Sequence, residues 1–495
     1  MSCLLPRLRQ RTAHAAGTVL ALAVTAVMLA PAACTPAAST TSQPTPDGAV
    51  TNPPITTTLA ATTLTATSAA TAPTAVRPTL PAGPVLPVGA APPTLAEIGI
   101  TSATSETFDA VATLGVQSPS GDPLWVAYTT GLRSFDPGAE TPHTVAVLSR
   151  EGDAWRLLDR MALGGDVSKA GAAATPDVDA YYGPDYMGEG GVTQVQIEPT
   201  RLWLTVDGGI GAHSGSFAVL SFDGGQLKLE AHASNSFPGV GHVADLDDDG
   251  IGEVVIDQSD AYVFCYACGV REASVGVLKW DGDRLQPIVL QPIADTDSAD
   301  DVRHALDAVA GGFWEAAAAW AHGALQSQGP TPPSTSDTAP NAHWAILRNN
   351  SIVVDANFEA RAALTRSGNP FPVLHHVFLG DWAGAVDPLR AYAPERLFAP
   401  DSPVVVGSPA EGSVPALAER IGIAAGNALN YGPRLAGAPT AFRWDAAPIH
   451  FLRGWSAWLA APGSAAARAD IAEAAELAPD DALFSASAAW IATQP

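Results

Sequence analysis

The chain has 495 residues, 47% hydrophobic and only 15% charged, enough for two or three buried cores once its non-folding parts are set aside. Fifty acidic against 25 basic residues give a net charge of -25, which repels phosphate backbones, argues against nucleic acid and suits cations. Of four cysteines, Cys3 and Cys34 fall near the N-terminus, leaving one close pair, Cys265 and Cys268, as an oxidising compartment would favour.

Residues 1–34 read as an export signal. Arg7, Arg9 and Arg11 supply a positive start, and the apolar run Ala15 to Ala30 is short for a membrane span. Pro31, Ala32 and Ala33 precede Cys34. These small residues resemble the lipobox of bacterial lipoproteins, with Pro31 where the family usually carries leucine. The resemblance implies that Cys34 is lipidated and holds an extracytoplasmic chain to a membrane. Plain cleavage at the A-x-A pattern Ala30–Ala32 gives a secreted chain, and an uncleaved anchor is a third reading.

Residues 35–98 form a Thr/Ala/Pro/Ser-rich stretch that is nearly uncharged and poor in large apolar residues. Such a segment buries too little surface to offset its ordering entropy and is expected to be a disordered tether spanning roughly 40–45 Å as a coil.

Residues 99–295 switch to strand-like alternation punctuated by glycine and aspartate. Three hairpins are alike, starting at Val145, Phe217 and Val275, each turning on an acidic-glycine pair at Gly152-Asp153, Asp223-Gly224 and Asp281-Gly282. A further strand precedes each: Leu124 to Tyr128, Leu202 to Val206 and Glu253 to Ile256. The reading is an all-β repeat domain, either propeller-like, a partial propeller or a sandwich-like assembly.

One motif carries specific chemistry. Asp245, Asp247, Asp249, Gly250 and Glu253 spell D-x-D-x-D-G-x-x-E. Calcium requires six to eight oxygens, and acids at alternate loop positions converge on one point. Gly250 permits the turn, the Ile251 carbonyl adds a backbone ligand, and Glu253 closes the shell. An EF-hand or dockerin loop would need an acid where Ile256 stands. A calcium loop running into a strand resembles the FG-GAP or VCBS repeats of integrin-like propellers, supported by Phe237 to Ala244 just before it. The resemblance implies a structural calcium ion. A solvated acidic turn without metal is the plainer alternative.

Cys265 and Cys268 are expected to form a short-range disulfide; redox and zinc readings lack a helix N-terminus or further ligands.

Residues 296–495 adopt a helical pattern rich in alanine. Asp301 to Gln326 is a helix candidate with a weak point at Gly311-Gly312, and residues 328–341 form a loop. Asp295, Asp297, Asp300 and Asp301 suit a helix start. Val373 to Tyr392, Phe451 to Leu459, Ala465 to Asp480 and the final run look like helix pairs. The segments around Ala478-Pro479 and Gly380-Asp381 resemble tetratricopeptide repeats, which implies a peptide- or protein-binding face.

No nucleophile elbow, metalloprotease or phosphate-loop motif occurs. His213-Ser214 reads as a polar loop, and the His375-His376 pair lacks a third zinc ligand. The expectation is a non-catalytic extracytoplasmic binding or scaffolding lipoprotein, stabilised by calcium, whose partner is an unidentified protein or envelope component. The alternative is an extracytoplasmic hydrolase of polysaccharide or peptide using carboxylates in a β-domain cleft.

Overall fold

The computed structural model describes residues 80–100, 108, 110–133, 142–164, 183–265, 268–294, 298–327, 338–367, 371–436 and 442–495. All lie within one compact unit, Thr71–Pro495. The export signal with Cys34, and residues 35–79 of the tether, lie outside the described residues.

The β region consists of three four-stranded antiparallel meanders. The first is β1 (Ala110–Gln117), β2 (Pro123–Leu132), β3 (Thr144–Glu151) and β4 (Ala154–Ala162). After β5 (Tyr186–Met187) comes the second, β6 (Val192–Val195), β7 (Leu202–Ile210), β8 (Ser214–Phe222) and β9 (Leu227–Asn235). The third is β10 (Gly241–Ala244), β11 (Glu253–Asp257), β12 (Val275–Trp280) and β13 (Leu285–Ile288). All three expected hairpins and their preceding strands are present. The first two meanders also share a register irregularity at the same step of their common Ala-Val-Leu-Ser motif, Val147/Leu148 and Val219/Leu220.

The meanders do not all stand as separate blades. β5 pairs with both β2 and β7, so the first two fuse into one nine-stranded sheet, while the third is a sheet of its own. The central strands are buried on both faces. Leu202, Leu204, Val206, Ala218 and Leu220 enter one core, whereas Trp203, Phe217 and Val219 point into a second, shared with Val254, Ile256 and Leu278 of the third sheet. Period-two side-chain direction thus feeds two cores from a single strand.

The expected tether ends earlier than residue 98. Ile98 is fully buried against Ala127, Ala146 and Leu148, and the indole of Trp155 donates to the Ala91 carbonyl at 3.2 Å. Gly83 and Gly115 meet backbone to backbone so closely that a Cβ on Gly83 would overlap the Gly115 carbonyl. Thr94 and Glu97 exchange reciprocal hydrogen bonds in the manner of a capping box. Residues 80–98 therefore belong to the β region.

The helical region follows: α1 (Ala299–Gly311), α2 (Trp314–Ser327), α3 (Thr338–Arg366), α4 (Pro372–Leu379), α5 (Trp382–Val386), α6 (Pro394–Leu397), α7 (Val414–Leu435), α8 (Ala447–Ala460), α9 (Ala465–Leu477) and α10 (Ala482–Ala492). Gly312 ends α1 in a left-handed conformation at φ 78, as the Gly311-Gly312 pair foretold. Asp300 and Asp301 lie in the first turn of α1; Asp295 and Asp297 are outside the described residues. Helix α3 begins at Thr338, so the end of the expected 328–341 loop is helical. Asp481 caps α10 by accepting from the amides of Leu483 and Phe484.

The two regions are joined by buried polar contacts. On α3, Asn350 binds both the amide and carbonyl of Gln291, and Asn357 binds those of Val275, at the start of β12. The loop between β11 and β12 sends Val263 and Val270 into the helical core, and Arg420 of α7 reaches Asp260 and Glu272 on that loop. A disulfide joins Cys265 and Cys268 within it, with Cα atoms 5.3 Å apart.

The adjacent histidines of α4 diverge. His375 is buried, and its Nε2 accepts from the Arg271 amide at 3.4 Å, whereas His376 Nδ1 pairs with Asp381 at 2.8 Å. They do not share a ligand site. Burial, with His376 and Arg271 nearby, pushes the His375 imidazole down to about 4.

Two outcomes follow. Asn357→Ala leaves the Val275 amide and carbonyl unpaired inside the junction, and denaturant unfolding should show a loss of about 1–3 kcal/mol. His375 stays neutral in the fold while the unfolded chain protonates near pH 6.5. Its contribution is therefore complete above about pH 6.5 and lost as pH falls toward 4, by about 3 kcal/mol. His375→Gln should flatten that part of the stability-pH curve; an unchanged slope contradicts the assignment.

Candidate metal centre

The D-x-D-x-D-G segment is the turn between β10 and β11, closed where Ala244 pairs with Glu253. It folds around its own carboxylates. Asp245 accepts from the Asp249 amide (3.0 Å) and the Gly250 amide (2.8 Å), and Asp249 Oδ1 accepts from the Ile251 amide (2.8 Å). Glu253 Oε2 accepts from the Leu246 amide at 2.9 Å. The chain turns through Asp248 at φ 56 and Gly250 at φ 82, and Asp248 is the one non-glycine residue with positive φ among the described residues. Gly252 has no room for a Cβ, which would meet the Gln196 carbonyl at 2.4 Å.

This turn brings Asp245, Asp247 and Glu253 together, with a carboxylate oxygen from each lying within 4.8 Å of the others. It is the only such group of potential metal ligands among the described residues. Asp245 is 7% exposed and Glu253 fully buried. The triad can hold a metal ion. Asp249, expected as a ligand, stands outside the triad with Oδ2 3.4 Å from Lys279 Nζ and 3.4 Å from an Arg348 guanidinium nitrogen, and Ile251 takes part through its amide.

Two basic residues that sequence reasoning missed complete the cluster. Lys279 of β12 places Nζ 2.8 Å from Asp247 Oδ2, 2.8 Å from Glu253 Oε1 and 3.4 Å from Asp249 Oδ2. Arg348 of α3 sets Nε 2.5 Å from Asp247 Oδ2, donates to the Asp247 carbonyl at 3.1 Å, and lies over the Trp344 ring. Lys279 lies in the third expected hairpin, immediately before Trp280, but nothing local in the sequence ties it to a loop some thirty residues earlier.

The charges do not balance. Asp245, Asp247, Asp248, Asp249 and Glu253 bring five acids against Lys279 and Arg348. Burial raises the Asp247 and Glu253 carboxyls above their ordinary values despite the Lys279 hydrogen bonds. For Lys279, burial alone would lower the ammonium, yet its bonds to Asp247 and Glu253 outweigh that and raise it. Burial disfavours the charged form of both carboxyls, and the neighbouring cations offset that only in part. The ammonium thus sits as a resident cation beside the three carboxylates that can hold a metal ion.

His213 lies in the exposed turn between β7 and β8, and Ser214 opens β8 opposite Ile210. No described helix is long and apolar enough to cross a membrane. Compared with family models, curated proteins and solved structures, the chain matches none of them.

Proposed function

We propose that the protein is a non-catalytic binding or scaffolding lipoprotein outside the membrane, anchored through Cys34, with calcium as a structural ion at Asp245, Asp247 and Glu253. Asp249 and the Ile251 carbonyl complete the shell once the ion is bound. The observation that carries this reading is the position of the buried triad. It lies at a β turn and is closed by a helix from the other region, so a cation there fixes the junction of the two regions. The three four-stranded meanders support kinship with FG-GAP or VCBS repeats in a partial ring. The consecutive pairs α4–α5 and α9–α10 support a tetratricopeptide-like surface for a protein or envelope partner.

Calcium competes with Lys279 for the same oxygens. An ion held only by the native state stabilises it by mass action, about 2.7 kcal/mol at a hundredfold excess over Kd. The full chain should melt several degrees higher in calcium than in chelator. Lys279→Met removes the resident cation and leaves the acids uncompensated, so it should melt lower than the parent in chelator and gain more from calcium. Identical melting of both proteins with and without calcium contradicts the site.

Cys34→Ala should move the protein from the membrane fraction to the medium of an expressing bacterium. Retention of the variant in the membrane argues against the lipid anchor.

A further inference from the structure

A cavity of about 350 Å³ opens in the helical region between the start of α2, the α4–α5 corner and the segment entering α8. That volume lies within the range of small-molecule sites. Its floor is aromatic: Phe313 and Trp382 are buried there, and Phe442 packs edge-on against Phe313 with ring centroids 5.1 Å apart. Its rim is charged and exposed, with Glu315, Asp381 and Asp445 set against the single guanidinium of Arg443.

The three acids are held differently. The His376 hydrogen bond keeps Asp381 below the usual carboxylate range, and its Oδ1 also caps α5 by accepting from the Gly384 amide. Asp445 directs Oδ1 at the Ala447 amide, which fixes the carboxylate at the start of α8. Glu315 has no hydrogen-bond or ion-pair partner among the described residues, so its charge is available to a ligand.

We propose that this cavity binds a small organic cation: a primary ammonium or guanidinium group on a compact apolar or aromatic body. The apolar body displaces water from the aromatic floor. The cationic head meets a rim whose acids outnumber its one base three to one. A carboxylate ligand of the same size would face three like charges. The site is independent of the metal centre, which lies on different elements.

The test is calorimetric titration of the full chain, in excess calcium, with 2-phenylethylamine, 2-phenylethanol and 3-phenylpropionate. The amine should bind saturably with one molecule per chain, the alcohol at least about tenfold more weakly, and the carboxylate not at all. Ala319→Trp, at an exposed lining position of α2, fills the cavity; Glu315→Lys reverses the charge of its free acid. Each should weaken the amine at least about tenfold while melting temperature stays within a degree or two of the parent. Absence of saturable amine binding, equal binding of the carboxylate, or variants that bind the amine as the parent does would each overturn the proposal.

Discussion

The structure is organised around a charge imbalance at one β turn. Loop 245–253 concentrates acids that water would otherwise solvate, and the fold buries three of them beside one lysine and one arginine from distant segments. Buried charge is tolerated only when paired and hydrogen-bonded. Here the pairing partners lie on β12 and α3, so satisfying the loop requires the third sheet and the helical region to be assembled around it. Loop, sheet and helix thereby depend on one another.

The same dependence is built in neutral form along α3. Asn350 and Asn357, seven residues and about two turns apart, each supply a donor and an acceptor to peptide groups of the β region, at Gln291 just after β13 and at Val275 at the start of β12. Arg361, further along the helix, is buried over the Trp314 ring. Helix α3 thus meets the β region through these polar side chains, while Leu347 and Val354 of the same helix enter apolar cores.

Much of the β region was legible because hairpins are local. The acidic-glycine turns, the preceding strands and even the recurrence of Ala-Val-Leu-Ser mark positions whose register the structure repeats. The fusion of two meanders through β5 was not legible, since Tyr186–Met187 is two residues long and carries no period. The N-terminal cover at 80–98 was hidden by its composition, although Thr94 and Glu97 spelled a capping signal. Helix α3 escaped because Asn350, Asn357 and Arg361 are buried on it and Arg348 is half-buried, and a helix that buries polar groups shows little hydrophobic periodicity. The acidic triad could be read from spacing alone, whereas its cationic partners could not, because long-range pairing leaves no trace in local sequence.

The account turns on what occupies the space among Asp245, Asp247 and Glu253 when calcium is abundant. The most direct measurement is an experimental structure of the full chain at millimolar calcium, using anomalous scattering to locate the ion. The account predicts one ion about 2.3–2.6 Å from carboxylate oxygens of all three residues, with the Lys279 ammonium swung out of the cluster. Lys279 still seated between Asp247 and Glu253, with no ion at the turn, would contradict it.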